Sequence, residues 1–193
     1  MLKYLKEKTT AIHNELEQSN LAGKIMDHSI TQQEYHDLLL QNYLFYHTVE
    51  TEAKQKSDVL SPAMQSFVSN KKSEQLALDL QGLGIDTKQI AQVQKLDFEL
   101  HTASEIIGAI YVSEGSALGG MMIRKQIPKC PALKEITSHH FFNPDAANPL
   151  DRWKTFKANV KSYDQEKLNQ DEALDAAIKA FRLFEKSIHS VKN

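Results

Sequence analysis

Two short stretches of the sequence carry residues whose types and spacing could do chemistry. In YLKEKTTAIHNELEQ, His13 lies one helical turn before Glu17. A carboxylate in that position can accept a hydrogen bond from one ring nitrogen and leave the other as a neutral metal ligand. The second stretch, YVSEGSALGGMMI, is apolar and free of proline, yet it contains Gly115, Gly119 and Gly120. An imidazole on one side and bare backbone on the other would suit a flat ligand that contains a metal.

The glycines of the second stretch need a physical reason, because glycine inside a helix costs about 1 kcal/mol relative to alanine. At 100° per residue, four positions fall within about 60° of one another and form a stripe nearly bare of side chains. They are Gly108, Val112, Gly115 and Gly119. Ser116 and Gly120 lie beside this stripe. Close packing of another helix and close approach of a flat ligand both explain it, and the spacing alone does not decide between them.

A lone histidine at the edge of a helix face is more often a satisfied boundary residue than a ligand, but Glu17 favours the ligand interpretation of His13. The other seven histidines lack a glutamate three residues earlier, which excludes the paired Glu-x-x-His motif of di-iron bundles. His139 and His140 lie between prolines and are expected to be solvated. Nucleophile elbows, phosphate-binding glycine loops and dinucleotide fingerprints are absent from the sequence.

Composition bounds the class of protein. The chain has 193 residues and a formal net charge of −2, with acidic and basic residues interspersed. We expect one domain over residues 1–193, no nucleic-acid partner and no anionic-membrane surface. The single cysteine, Cys130, excludes an intramolecular disulfide and favours a reducing cytosol. Without a secretory signal or an apolar run of about 20 residues, the sequence predicts a cytoplasmic protein that does not span a membrane.

Apolar residues recur every three or four positions almost throughout, which predicts an all-α fold. Thr31 and Glu34 form a capping box that begins a helix over 31–53. Further helices are predicted over five segments. One begins at Ser61-Pro62, a second runs over 73–81, and a third runs from Asp86 and Gln89 to near Leu100. A fourth runs over 102–127 and ends before Pro128, and the fifth begins near Leu150. The stretch from Pro128 through Pro144 to Pro149 is expected to be irregular.

The last helix is predicted over 171–190. Its apolar residues at helical spacing are expected to face inward. They are Leu174, Ile178, Phe181, Phe184 and Ile188.

Taken together and in this order, the two stretches make the chain resemble the haem oxygenases, particularly the bacterial biliverdin-producing branch. LKEKTTAIHNELE is similar to that family's proximal helix, and YVSEGSALGGMMI is similar to its distal helix. Residues 31–50 are similar to its second helix, so the resemblance covers most of the first 127 residues.

The resemblance implies a helical fold with haem between the proximal and distal helices. It makes His13 the ligand of the haem iron and Glu17 its partner. Gly115, Gly119 and Gly120 become the distal glycines, with Gly115 and Gly119 beside the reacting atoms. Lys6 matches a lysine that pairs with a haem propionate. Ser116 stands where the animal enzymes carry an aspartate, so an aspartate-organised water network is not expected.

The activity implied is oxidative cleavage of haem by O₂ and reducing equivalents to biliverdin, Fe²⁺ and CO. Haem would be both cofactor and substrate, and a ferredoxin- or flavin-type reductase would supply electrons. Ser116 is a candidate for a catalytic role on the distal side. Two other functions stay open, a haem-binding or haem-transfer protein of the same fold and a helical protein whose glycines serve only packing.

Haem propionates also need cations at the pocket mouth. Lys154, Lys157 and Lys161 share one face of a late helix, although an ordinary solvated lysine face explains them equally well. Tyr111 and Arg124 are further candidates for the haem pocket.

Overall fold

The computed structural model describes residues 1–69, 71–87, 90, 96–143, 148–163 and 168–191. The described residues form α-helices and 3₁₀ turns without a strand, which confirms the all-α prediction. The helices are α1 (Leu2–Ser19), α2 (Ala22–Met26), α3 (Gln32–Gln55), α4 (Pro62–Gln65), α5 (Lys71–Gly82), α6 (Ala103–Gln126), α7 (Pro149–Ser162) and α8 (Gln170–Val191). Single 3₁₀ turns occupy Ser57–Val59, Ile127–Lys129 and Pro131–Leu133.

Capping boxes begin the two longest helices. At α3, the amide of Glu34 donates to Thr31 Oγ1 over 3.2 Å, and the amide of Thr31 donates to the Glu34 carboxylate over 3.0 Å. Thr102 and Glu105 form the same arrangement at α6. Because these local bonds satisfy amides that a helix start leaves free, both helices begin where the sequence predicts. Pro128 lies in the 3₁₀ turn directly after α6, so the predicted end of this helix is also confirmed.

The first half of α6 packs against α8 in the centre of the molecule. The two backbones approach closely, because the buried face of α8 is built largely from alanines: Ala173, Ala176, Ala177 and Ala180. The predicted inward face of α8 was therefore partly wrong. Ile178 is 36% exposed and Leu174 is only partly buried, whereas Phe181 and Ile188 are buried as expected.

The prediction that another helix ends near Leu100 is also wrong. Residues 96–100 are not helical, and the amide of the buried Leu100 donates to Glu52 Oε1 over 3.2 Å. This long-range bond to α3 holds the backbone out of a helix. The start predicted at Asp86 and Gln89 falls largely outside the described residues.

Between α6 and α7, the described residues 127–143 and 148 contain only two 3₁₀ turns and irregular backbone, as predicted, and contacts to α3 and α5 hold this segment in place. Asp79 accepts hydrogen bonds from the amides of His140 and Phe141 over 2.7 and 2.9 Å. The Tyr35 hydroxyl lies 2.6 Å from His139 Nδ1. His139 is therefore only partly exposed and has a protein partner, contrary to the prediction, whereas His140 is exposed. Pro144 lies outside the described residues.

One helical segment, Ala103–Lys129, is long and apolar enough to cross a bilayer by length and composition alone. The expectation that no such run exists was too strong. The first half of this segment lies in the protein core, so a central helix of a folded domain accounts for its apolar character.

Candidate haem site

Helices α1 and α6 lie on either side of a surface, which we call the groove, that runs from Thr9 and Tyr111 to His13 and Gly119. Within the described residues each packs on α8, and they meet one another only weakly. Their contact joins the hydroxyls of Thr9 and Tyr111. One helical turn further along, α1 carries His13 and α6 carries Gly115. The two sequence motifs therefore lie on the same side of the molecule. Tyr111, a pocket candidate from sequence, stands at the point where the two helices meet.

His13 lies one turn after Thr9 on the same face of α1. Its side chain is 50% exposed. The ring meets Phe181 of α8 edge to face, with 6.1 Å between ring centroids and an interplanar angle of 88°. Phe181 therefore restricts the orientation of the imidazole. The Glu17 carboxylate lies 3.8 Å from His13 Nδ1, which is too long for the hydrogen bond that the sequence predicted.

The glycine stripe of α6 divides into two parts with different surroundings. A methyl group added at Gly108 would come within 2.9 Å of the carbonyl carbon of Ala173, so this glycine allows α6 and α8 to pack. Gly119 has no neighbouring atom within 4 Å of the same hypothetical methyl group. Packing therefore explains Gly108, and it does not explain Gly119. The space in front of Gly119 is open to a ligand.

Aromatic side chains border the open part of the stripe. The Trp153 ring lies 3.9 Å from a methyl group added at Gly115, and Phe142 lies at the same distance from one added at Gly120. Trp153 also contacts the Tyr111 ring, with centroids 5.7 Å apart. Neither Trp153 nor Phe142 was predicted from the sequence. Trp153 is the single tryptophan of the chain and lies one turn before Lys157, which is the signal that could have indicated it.

The candidate cations do not behave as one group. The Lys157 ammonium lies 6.0 Å from the centre of the Trp153 ring, which brings it beside the groove. Lys154 instead pairs with Asp151 over 3.2 Å. Lys161 and Arg124 are exposed, without a contact that draws them to the groove. Lys6 is exposed on α1 two turns before His13, on the same helical face.

Ser116 is joined to α3 by a short hydrogen bond. Its Oγ lies 2.6 Å from the hydroxyl of Tyr46, which is buried. Tyr46 was not predicted as a site residue, because nothing in the local sequence indicates a partner on α6. The Tyr46 hydroxyl and Ser116 Oγ also lie 3.3 and 3.0 Å from the Ser113 carbonyl oxygen.

A buried charged cluster lies behind this hydroxyl pair and was also missed from sequence. Glu114, with 4% of its side chain exposed, accepts from Lys72 Nζ over 3.1 Å and from Arg152 Nε over 2.9 Å. Lys72 Nζ also donates to the Ser113 carbonyl oxygen over 2.8 Å. Glu50 accepts from the amides of Lys72 and Ser73. The cluster joins α3, α5, α6 and α7 at the level of Ser116.

Ionisation in this cluster follows from burial and pairing. Burial by itself would raise the pKa of Glu114, but Lys72 and Arg152 together hold it below its ordinary value. Burial lowers the pKa of Lys72, although Glu114 opposes this. Burial raises the pKa of Glu50 despite its bonds to Ser73. Burial also raises the pKa of Tyr46 well above its ordinary value, so its hydroxyl remains protonated at neutral pH.

The residues fit a metalloporphyrin better than a bare metal ion. Among the described residues, no group of three or more His, Cys, Asp or Glu side chains could hold a metal ion. A metal at His13 would therefore need its other ligands from a bound group, and a porphyrin supplies four nitrogens in a plane. A methyl group added at Gly119 would meet no atom within 4 Å, so the backbone there is open to the approach of a flat ring.

Comparison with known proteins agrees with this fit. A family model described as heme oxygenase matches residues 1–190. Among solved structures, the chain is similar to the NO- and CO-bound heme oxygenase from Neisseria meningitidis, with a TM-score of 0.68 and 22% sequence identity. The match covers 98% of this chain and 90% of that one, and it shows a shared fold. No curated protein matches the chain significantly.

Proposed function

We propose that this chain, which belongs to the haem oxygenase family, binds haem between α1 and α6 and converts it to biliverdin, Fe²⁺ and CO. One observation carries the proposal. The half-exposed ring of His13 and the open backbone at Gly119 share a groove that begins at the Thr9–Tyr111 contact.

Haem is the cofactor of this family, and when bound it supplies the iron that activates O₂ and the macrocycle that is opened. His13 would hold the iron on the proximal side, with Phe181 fixing the plane of the imidazole. Glu17, at 3.8 Å, would act on the imidazole through its charge rather than through a direct hydrogen bond.

On the distal side the protein supplies mainly backbone. Gly115, Gly119 and Gly120 leave room for a ring to approach α6, and Trp153 and Phe142 border that space. Ser116 is the hydroxyl donor nearest these glycines in the sequence, and Tyr46 holds it from behind. Such a surface shapes the ligand site and excludes bulk water, while offering few side chains that could divert the chemistry.

Cations beside the groove would receive the propionates. Lys157 is the favoured residue of the late helix because it lies on Trp153, and Lys6 is favoured on α1 because it shares the face of His13. Lys154 is a weaker choice, since Asp151 already neutralises it.

Three further features belong to this proposal. A ferredoxin- or flavin-type reductase would supply the electrons. The protein would act in the cytosol, where its lone cysteine stays reduced. Residues 1–193 would form one domain, because the helices that border the groove pack on the same central pair, α6 and α8.

Haemin and ascorbate, added to the pure protein, test the activity. We expect the haem absorption band to decay and a bile-pigment band to appear, with CO released in equal amount. If haem binds and its band persists under reduction and O₂, the protein is a haem-binding or haem-transfer protein. If haem does not bind at all, the groove serves another ligand or none.

A further inference from the structure

Lys72 is the member of the Glu114 cluster that reaches beyond the ion pairs. Its ammonium contacts Glu114 at 3.1 Å, the Ser113 carbonyl at 2.8 Å and the face of the Tyr46 ring at 5.1 Å from its centre. A buried ion pair is weak grounds for stability, because desolvation of the two charges offsets much of their attraction. The contacts with the Ser113 carbonyl and the Tyr46 ring indicate which groups this cation positions.

The Ser113 carbonyl has limited room for donors. A carbonyl oxygen has two lone pairs, and in a continuous α-helix one of them accepts from the amide four residues later. The ammonium of Lys72 is the closest side-chain donor to this oxygen, and a charged donor is stronger than a neutral one. Lys72 is therefore the strongest competitor for the acceptor site that remains.

Tyr46 and Ser116 compete for the same carbonyl at longer distances, 3.3 and 3.0 Å, while their own oxygens lie 2.6 Å apart. With the carbonyl engaged by Lys72, the short bond between the hydroxyls is the one that remains strong. Tyr46 then donates to Ser116 Oγ. Ser116 Oγ also donates to the Ser113 carbonyl over 3.0 Å, and because Lys72 shares that carbonyl this bond is weakened and the Ser116 proton can be drawn to an acceptor in the groove.

Resting on the haem site proposed above, we propose that Lys72 is a positioning residue of that site. By occupying the Ser113 carbonyl it directs the Ser116 hydroxyl into the groove as a hydrogen-bond donor, with Tyr46 as the donor behind it. Without Lys72, the Ser116 hydroxyl donates to the Ser113 carbonyl without competition, and a ligand in the groove loses this donor.

The test uses Lys72→Met and, as a matched control, Arg152→Met. Each variant removes one of the two cations on Glu114, and only the first frees the Ser113 carbonyl. The readout is the C–O stretching frequency of CO added as a probe to the reduced haem complex, since a hydrogen bond to CO lowers this frequency. It requires no turnover.

We expect Lys72→Met and Ser116→Ala to raise the C–O frequency to the same value. The variant that combines these two substitutions should have that value as well, and Arg152→Met should leave the frequency unchanged. An unchanged frequency in Lys72→Met, or equal shifts in Lys72→Met and Arg152→Met, would overturn the inference. If Lys72→Met does not fold, Tyr46→Phe replaces it, because that variant leaves the cluster intact and removes the donor behind Ser116. An unchanged frequency in Tyr46→Phe overturns the inference as well.

These results are separate from those that decide the proposed function. If the wild type takes up no haem through His13, the haem site itself is wrong. If the wild type binds haem through His13 and the CO frequency ignores Lys72, only the positioning role fails.

Discussion

Gly108 and Gly119 lie on one stripe of α6, yet they meet opposite environments. A methyl group at Gly108 would come within 2.9 Å of the Ala173 carbonyl carbon, whereas one at Gly119 would have no neighbour within 4 Å. The same residue type therefore serves helix packing at one position and leaves a groove open at the other. With haem in the proposed site, this difference would separate stability from ligand binding along a single helix.

Alanine at Gly108 and at Gly119 should change the stability of the haem-free protein in opposite directions. Gly108→Ala should lower the free energy of unfolding by about 1–3 kcal/mol, because the added methyl group overlaps the backbone of α8. Gly119→Ala should raise it by up to about 1 kcal/mol, since alanine is the better helix former and meets open space. Urea unfolding of the haem-free proteins measures both. Equal changes in the free energy of unfolding for Gly108→Ala and Gly119→Ala would show that both glycines serve the same function.

A larger side chain at Gly119 should affect haem and spare the fold. Gly119→Leu places an isobutyl group in the groove, so haem affinity should fall by at least about tenfold. Gly82→Leu is the matched control, because Gly82 also meets open space and lies at the end of α5. Haemin titration followed by absorbance measures the two affinities. An unchanged affinity in Gly119→Leu would place haem elsewhere.

The two lysines of α7 should differ in their effect on haem. Lys157→Ala should weaken haem binding about 2- to 5-fold, the range expected for losing one exposed ion pair. Lys154→Ala should leave it unchanged, because Lys154 is turned towards Asp151. Raising the salt concentration should reduce the difference. A larger effect from Lys154 than from Lys157 would contradict the assignment of propionate contacts.

The Glu114 cluster should make stability depend on acid. The pKa of Glu114 is lowered in the folded protein, so its contribution is complete above the unfolded value of about 4.3 and is lost as pH falls through the folded pKa. Glu114→Gln should cost about 3–5 kcal/mol at pH 7, because Lys72 and Arg152 lose their shared partner. It should also reduce the decline in stability between about pH 5 and pH 3.

Thermal or urea unfolding across that pH range measures this effect. Glu99→Gln is the control, since its carboxylate is 80% exposed. If Glu114→Gln declines with pH as steeply as the wild type does, the acid dependence arises from other carboxylates.

The sequence predicts features that are set locally. Thr31 with Glu34, and the proline after α6, specify helix ends through bonds within a few residues, so they could be read without the fold. The phase of α1 likewise follows from its apolar spacing, which puts His13 at the border of the buried face. The glycine stripe was visible too, but spacing could not tell that Gly108 faces Ala173 while Gly119 faces a groove.

Features that depend on contacts distant in sequence were missed or wrong. Tyr46 meets Ser116 across 70 positions, and Lys72 meets Glu114 across 42. His139 was expected in solvent and instead contacts Tyr35 at a separation of 104. The helix end predicted near Leu100 shows the same limit, because the amide of Leu100 donates to a carboxylate of α3.

Haemin titration of the wild type and of His13→Ala, with and without added imidazole, tests the haem site most directly. The wild type should bind one haem with the spectrum of a histidine-ligated iron. His13→Ala should lose that spectrum and regain it with imidazole, whereas His101→Ala, which alters an exposed histidine, should resemble the wild type. A His13→Ala protein that binds haem with the wild-type spectrum in the absence of imidazole would contradict the assignment of His13 and of the groove it faces.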